Sequence, residues 1–295
     1  MKRLVVSVIA IMLTGLAGFI ISCDKIETPY MNVVDVSDCP VPTFPDVTSP
    51  EKTVLIEEFT GHKCVYCPTG SDYIRQIQQM SYGYKVISLA IHASGLAEPD
   101  ASGNFSLDLR PGSHGEELYA DFLIPAEPRA MFNREKLDGT NFAYGTPSGW
   151  QAKVETVLAE APVITLQVIN DYDNATRKLC THIKTKFLTA NSQNLKIAVW
   201  IAEDSIHGYQ SNNNSLLGPD PIPDYVFMDV MRDEFVGTYG EGLTNGSVAQ
   251  DSAVIRTYKK ILPTDWVDRH CKVVAYVYDV DTKAILQAVE GKVIE

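Results

Sequence analysis

Cys64 and Cys67 are the residues whose types and spacing most directly indicate chemistry in this sequence. They follow the apolar run Val54–Ile56, which predicts a strand. They precede apolar positions between Ile74 and Met80 at a spacing that predicts a helix. A cysteine at a helix start lies near unpaired N–H groups and the positive end of the helix dipole, which stabilise its thiolate. The pattern predicts a redox-active pair in which Cys64 attacks and Cys67 resolves.

Two other uses of the Cys-x-x-Cys pair remain open. The pair could form a purely structural disulfide, or it could belong to a zinc site. A structural zinc site needs a second pair of cysteine or histidine ligands. The sequence has six cysteines, and the other four supply no such pair. We therefore expect no metal and no other cofactor.

Two histidines are candidates for the same site. His62 and Lys63 precede Cys64, and a cation beside a thiol lowers the thiol pKa, although both side chains could simply be solvated. His92 ends the apolar run Lys85–His92, which predicts a central parallel strand. Ligands of open α/β sheets gather at the carboxyl ends of strands, so His92 either lines the site or is an ordinary loop histidine.

The start of the chain predicts export. Lys2 and Arg3 followed by an apolar run predict a signal peptide over residues 1–22. Residues 20–23, Ile-Ile-Ser-Cys, resemble a bacterial lipobox, which implies cleavage before Cys23 and lipidation of that residue. The alternative is an uncleaved anchor helix. Either way the remainder lies outside the cytoplasm, where disulfides persist.

Residues 23–50 predict a tether between this anchor and the folded part. Prolines are frequent and periodic apolar residues are few, so the segment should be extended and semi-rigid. Cys39 lies within it and is either free or paired. The formal net charge of the chain is −12 without basic clusters, which argues against binding to nucleic acid.

The remaining sequence predicts two domains. Residues 51–161 predict an α/β domain with short helices over 116–122 and 147–161 and an inserted loop at about 93–113. Residues 162–295 contain six or seven strand-like runs without a convincing helix, which predicts an all-β sandwich, Ig-like or jelly-roll-like. Cys180 and Cys271 lie in two of these runs, as a structural disulfide or as two separate buried thiols.

The α/β domain resembles the thioredoxin-like fold. That fold has a loop of the form aromatic-x-Ile-x-x-x-Pro facing the cysteine pair, matched here by Phe122, Ile124 and Pro128. The resemblance implies a cis peptide bond between Glu127 and Pro128 and pairing of this backbone with a bound thiol substrate. Pro125 competes for the same role.

The thioredoxin resemblance also assigns an acid. The fold has a buried acid six residues before the first cysteine, and that position is Glu58 here. The implied role is to move a proton to and from Cys67. The alternative is that Glu58 merely ends a strand at the surface.

The mature chain resembles the outer-membrane-protein-28-related lipoproteins of Gram-negative bacteria. The residues that carry this resemblance are Cys23, Glu58-Phe59-Thr60-Gly61, Cys64, Cys67-Pro68, Ile91-His92-Ala93, Pro128, Asn133-Arg134, Tyr225-Val226-Phe227-Met228 and Met231-Arg232. The resemblance implies a cell-envelope protein that is lipid-anchored to the outer membrane, on its periplasmic or its external side.

Two functions fit these patterns. One is thiol–disulfide exchange with thiols or disulfides of extracytoplasmic protein clients, on a chain held to the membrane through Cys23. The alternative is a non-catalytic surface lipoprotein, in which the thioredoxin-like domain is a scaffold and the β-sandwich binds a protein or glycan partner.

Overall fold

The computed structural model describes residues 35–244 and 246–295. Residues Val36–Glu295 form one compact unit that is rich in strands, with mixed and antiparallel sheets and few helices. The α-helices of the described part are α1 (Cys67–Gln78), α2 (His114–Asp121) and α3 (Trp150–Leu158). Short 3₁₀ turns occupy Gly83–Lys85, Pro147–Gly149 and Asp268–His270.

The strands of the described part fall into three sheets. In chain order they are β1 (Val54–Thr60), β2 (Val86–His92), β3 (Arg129–Phe132), β4 (Ala143–Tyr144), β5 (Ile164–Asp173), β6 (Lys178–Phe187), β7 (Leu195–Glu203), β8 (Ile206–Gln210), β9 (Ile222–Phe227), β10 (Val230–Glu234), β11 (Glu241–Gly242), β12 (Ala253–Ile261), β13 (Cys271–Asp279) and β14 (Ile285–Lys292).

The largest sheet runs through both predicted domains. Its order is β14-β13-β7-β10-β2-β1-β3-β4, with β11 paired to β7. Strands β1 and β2 are parallel and fully buried, as the apolar run over 85–92 predicted. Strand β10 pairs with β2 on one side and with β7 on the other. The sequence predicted a division after residue 161, but strands from both sides of that position share this sheet.

The large sheet has a core on each face, because successive residues of a strand point to opposite sides. On one face Phe59, Leu118 and Trp200 belong to a core that extends from β1 to β13 under α2. On the other face α1 and α3 pack over β1–β3 around Ile77 and Trp150. The rest of that second face, formed by β7, β13 and β14, packs against the sheet β12-β6-β5.

The C-terminal half has the sandwich-like packing expected of residues 162–295, with differences in its strands. Strands β8 and β14 were not predicted. The strand-like run over residues 225–236 is interrupted at Asp229, whose φ of 57° is outside the range of strands, so its two parts lie in β9 and β10. Strands β8 and β9 pair as a separate two-stranded hairpin.

The N-terminal half has the predicted short helices. The helix expected over 116–122 is α2, and the one expected over 147–161 is a 3₁₀ turn followed by α3. The inserted loop over 93–113 contains neither helix nor strand. Leu109 of this loop is buried with Phe227 and Val230, so the insertion packs on the C-terminal half of the chain.

Part of the predicted tether is folded onto the protein. Asp38 forms ion pairs with Lys178 and Lys259 at 3.1 and 2.9 Å, and Phe44 is buried beside Lys184. From residue 36 onward this segment therefore belongs to the compact unit and does not act as a spacer. The expectation of an extended tether up to residue 50 is wrong for these residues.

The disulfide suggested for Cys180 and Cys271 is wrong. Cys180 is bonded to Cys39, 141 positions earlier, and Cys271 is a buried free thiol. Leu179 and Ile183 of β6 face the core that contains Cys271. Because alternate residues point to opposite faces, Cys180 points away from that core, toward the face crossed by the N-terminal segment.

The signal peptide and the lipidation site at Cys23 lie outside the described residues. Among residues 35–244 and 246–295, no helix combines the length and apolar character needed to cross a membrane.

Candidate functional site

The CxxC bridge, a disulfide between Cys64 and Cys67, lies where β1 gives way to α1. The sulfurs are 2.07 Å apart, and the Cys67 amide donates to the Cys64 carbonyl at 3.3 Å. Helix α1 begins at Cys67 with Pro68 in its first turn, where a missing N–H leaves no partner unsatisfied. Cys64 therefore precedes the helix, and Cys67 is its first residue rather than one turn inside it.

Both cysteines are buried by a segment that is distant in sequence. Cys64 is 3% exposed and Cys67 is 1% exposed, so neither cysteine is open to solvent in this state. The cover is residues 210–214, which we call the strap. Gln210 Nε2 donates to the Cys64 carbonyl at 2.9 Å. Further bonds join Ser211 N to the His62 carbonyl (2.8 Å), Asn213 N to the Val65 carbonyl (3.0 Å) and Asn214 Nδ2 to Thr69 Oγ1 (3.2 Å).

The two predicted cations beside Cys64 do not act as free positive charges. His62 is 1% exposed and stacks on Phe105, and burial lowers the pKa of its ring. Its Nε2 lies 3.2 Å from the Glu98 carbonyl, which it bonds as a neutral donor. Lys63 is paired with Asp100 of the insertion at 3.0 Å. Of the features that the sequence predicted to stabilise the Cys64 thiolate, the dipole of α1 therefore remains.

Glu58 is a buried acid, as the resemblance implied, and not a surface residue. It is 3% exposed on β1, and its carboxylate accepts from Ser71 Oγ on α1 at 3.1 and 3.2 Å. Gly70 is needed at this contact, because a Cβ there would come within 2.9 Å of Glu58 Oε1. Burial raises the pKa of Glu58 to about 8, while the Ser71 bond opposes this shift.

His92 lies beneath the site and not at its mouth. It lines, with Glu58, a small cavity of about 30 Å³ that Tyr225 and Asp229 also line. Burial lowers the pKa of His92 to about 3, so its ring is neutral. A cavity of this size holds about one or two waters. His92 is 2% exposed and is therefore not in a position to contact a protein client.

The loop before β3 faces the CxxC bridge. The Glu127–Pro128 peptide bond is cis, as the thioredoxin resemblance implied. A carboxylate oxygen of Glu127 and the two sulfurs of the CxxC bridge all lie within 4.8 Å of one another. Beside them opens a cleft of about 300 Å³, whose lining residues are Tyr66, Thr69, Ala126, Glu127, Pro128, Arg129, Gly145 and Pro147.

Residues 116–295 match the family model of outer membrane protein Omp28. The chain belongs to the Omp28 family. This membership confirms the predicted localisation at the outer membrane of the cell envelope. The matched region includes Glu127, Pro128 and the strap, whereas the CxxC bridge precedes it. No curated protein matches this Omp28-family chain.

The chain is similar in fold to a solved structure. HBP35 of Porphyromonas gingivalis has 17% sequence identity and a TM-score of 0.64, over 83% of this chain and 76% of HBP35. A domain of the outer membrane lipoprotein Omp28 from the same organism has 21% identity and a TM-score of 0.31, over 46% of this chain and 91% of the domain. At such identities the likeness to HBP35 shows the fold alone.

Among the described residues of this Omp28-family chain, two groups of side chains have the composition of metal ligands. One is Cys64, Cys67 and Glu127, but the two sulfurs are bonded to each other and cannot ligate in this state. The other is His114 with Asp233 and Glu234, where Asp233 is already paired with Lys260 at 2.5 Å. Neither group changes the expectation that the site uses no metal.

Sequence reasoning missed the residues that cover and flank the CxxC bridge. Gln210 is 146 positions from Cys64, and no local sequence pattern around it indicates a contact with the cysteine pair. Ser94, which donates to Glu127 at 2.8 Å, lies in the insertion with a φ of 61°. The sequence pattern indicates Glu127 only as the residue before Pro128, although a carboxyl group at that position is itself a signal.

Proposed function

We propose that this Omp28-family chain is an outer-membrane lipoprotein whose CxxC bridge exchanges disulfides with client proteins of the cell envelope. The observation that carries the proposal is the meeting of three features: the Cys64–Cys67 disulfide, the Glu127–Pro128 loop and the cleft between them. The order β2-β1-β3-β4, with α1 and α3 on one face, supports a thioredoxin-like segment within residues 51–161.

The proposed exchange starts from the reduced pair. The Cys64 thiolate attacks one sulfur of a client disulfide, and the client S–S bond breaks. Cys67 then loses its proton and attacks Cys64, which closes the CxxC bridge and releases the second client sulfur. Two electrons pass to the client and two protons follow, and the reverse sequence oxidises a client dithiol.

Glu58 fits the proton shuttle for Cys67. A buried carboxyl whose pKa is about 8 holds a proton at neutral pH and can release it without a large change in free energy. Pro128 lines the cleft, where its backbone would dock an extended client segment beside the sulfurs. No cofactor is needed for these steps.

Client access in this proposal comes from the cleft side. Tyr66, between the two cysteines, is 60% exposed and lines the cleft, whereas the strap covers the cysteines from the C-terminal half. A client sulfur needs a small displacement of the covering residues to reach Cys64. We therefore expect exchange that is slow compared with an open dithiol and selective for extended, cleft-binding segments.

The proposal is tested with the chain from Asp24 onward. We expect it to catalyse reduction of insulin disulfides with dithiothreitol, or oxidation of a reduced peptide. A matched variant with both Cys64→Ser and Cys67→Ser keeps the Cys39–Cys180 disulfide and should be inactive. Equal rates for the two proteins in both assays would contradict the proposal.

Burial of the CxxC bridge favours a second candidate, the scaffold. With Cys64 only 3% exposed, the disulfide could hold the start of α1 while the sandwich-like half binds a protein or glycan. A bridge that resists millimolar dithiothreitol in the folded chain favours this candidate. Reduction of the bridge without unfolding favours exchange.

Membrane attachment is part of the proposal. The lipobox resemblance at residues 20–23 supports lipidation of Cys23. Cys23→Ser should leave an unprocessed or released protein, seen as a change in mass and fractionation. A Cys23→Ser chain of unchanged mass that stays in the membrane would instead support an uncleaved helix.

A further inference from the structure

We infer that Glu127 is the proton-transfer residue of the cleft, exchanging a proton with the Cys64 sulfur and with the leaving sulfur of a client. This inference rests on the proposed exchange function. It adds a second acid to the site, since Glu58 lies beneath α1 while Glu127 lies at the cleft.

Glu127 lies where a proton-transfer group for this exchange would have to lie. One Glu127 carboxylate oxygen is within 4.8 Å of both sulfurs, a distance that one bridging water or a rotation of a reduced thiol can close. Glu127 also lines the cleft by which a client would arrive. A carboxyl there meets the attacking thiol and the leaving sulfur at the same point.

The two oxygens of the Glu127 carboxylate differ in their hydrogen bonding. Glu127 Oε1 accepts from Ser94 Oγ at 2.8 Å, which holds the carboxylate in place. Glu127 Oε2 is buried and has no hydrogen-bond partner among the described residues. A buried polar atom without a partner is costly, so this oxygen is suited to bond a thiol or a thiolate when one forms.

The surroundings of Glu127 support protonation near neutral pH. Burial raises the pKa of Glu127 to about 7, Ser94 opposes the rise, and Glu116 adds to it. The titratable and charged groups that face Glu127 are Glu58, Cys64, Cys67, Glu116, Tyr119 and Arg129. In its protonated form Glu127 can donate to a thiolate, and in its ionised form it can accept a thiol proton.

The proton path follows the bonds that form and break. Ionised Glu127 takes up the proton of the Cys64 thiol, and when Cys64 attacks a client disulfide it gives that proton to the leaving client sulfur. When the mixed disulfide is resolved, ionised Glu127 takes up a proton released at the cysteine pair and passes it to the second client sulfur. The carboxyl group ends each cycle in the state in which it began.

The test measures alkylation of Cys64 by iodoacetamide from pH 5 to 10 in the reduced chain, read on the Cys64 peptide by mass spectrometry. In the unmodified chain the rate should rise in two coupled steps. In Glu127→Gln the carboxylate no longer opposes the thiolate, so the profile should have one step, with a rate at pH 8 at least about threefold higher.

Two further variants keep the inference testable if Glu127→Gln folds poorly. Ser94→Ala removes the bond that lowers the pKa of Glu127, so the lower step should move to higher pH. Glu116→Gln removes an exposed carboxylate and should leave two steps. Identical profiles for the unmodified chain, Glu127→Gln and Ser94→Ala would overturn the inference.

The alkylation readout does not depend on client turnover. If the alkylation profile has two coupled steps but the chain is inactive in both the insulin and the peptide assay, the exchange function is overturned. The proton transfer between Glu127 and Cys64 is then retained. If the chain is active but Glu127→Gln leaves the alkylation profile unchanged, only the proposed proton transfer by Glu127 is overturned.

Discussion

Glu57 and Glu58 are neighbours on β1, yet they lie in opposite chemical environments. Glu57 is completely buried and accepts two hydrogen bonds from Arg134, at 2.6 and 2.7 Å. Arg134 also donates to the Tyr276 hydroxyl at 2.7 Å. These three residues come from β1, the turn after β3, and β13, so the network ties the two halves of the large sheet together.

Glu58 faces the other side of the sheet and has no such partner. Its hydrogen bonds come from the Ser71 hydroxyl, and burial raises its pKa to about 8. One strand therefore presents a paired acid that stabilises the fold and an unpaired acid that can titrate near neutral pH. The difference separates the face that holds the chain together from the face that can do chemistry.

Removal of Arg134 should have the largest effect on stability. Arg134→Ala leaves Glu57 buried without a counter-charge, which should lower the free energy of unfolding by about 3–5 kcal/mol. Urea unfolding followed by circular dichroism measures the change. The control Arg110→Ala breaks an exposed ion pair with Asp108 and should cost less than about 1 kcal/mol. Similar losses of unfolding free energy for the two arginine variants would mean that the buried Glu57–Arg134 pair stabilises the fold no more than an exposed pair. Glu57 would then no longer contrast with Glu58 as a stabilising acid.

Substitution of Glu58 should change the pH dependence of stability. The folded chain keeps the Glu58 proton up to about pH 8, whereas the unfolded chain releases it near its ordinary pKa. This group therefore stabilises the fold most at low pH, and that contribution declines as pH rises toward 8. Glu58→Gln should thus gain about 2 kcal/mol relative to the unmodified chain between pH 5 and pH 7.

Urea unfolding at several pH values, with disulfides intact, checks the Glu58 prediction. Taking the difference between variant and unmodified chain removes the contributions of other titrating groups. Glu155→Gln, on an exposed part of α3, should show no such gain. A difference that does not vary with pH for Glu58→Gln would mean that Glu58 is already ionised in the fold.

Truncation of Gln210 should have the smallest effect on stability, but it should measurably change the rate at which the CxxC bridge is reduced. Gln210→Ala removes the bond to the Cys64 carbonyl, worth about 1 kcal/mol. Reduction of Cys64–Cys67 by dithiothreitol should become about fivefold faster, because that free energy corresponds to about this factor. Gln151→Ala on α3 is the matched control. An unchanged rate would show that the strap does not limit access.

The local part of the site could be predicted from the sequence, because it depends on neighbouring residues. The strand at β1, the cysteine pair and the start of α1 follow each other within a short segment whose periodicity is clear. The same holds for Glu58, which follows from its spacing to Cys64, and for Pro128, which follows from its spacing to Phe122 and Ile124.

The rest depends on contacts between distant parts of the chain. The strap reaches Cys64 from Gln210, and Cys180 pairs with Cys39 across 141 positions. Those pairings depend on how the sheets are ordered, which alternation of side chains does not specify. The neutral state of His62 likewise follows from burial by the insertion and not from its place beside Cys64.

The most direct test of the account is which cysteine traps a client. Cys67→Ser and Cys64→Ser chains are purified from the oxidising compartment without reductant and compared by mass spectrometry. The account predicts mixed disulfides with a client or glutathione on Cys67→Ser, because Cys64 still attacks and resolution is lost, and none at Cys67 of Cys64→Ser. Adducts on Cys64→Ser alone, or on neither chain, would contradict it.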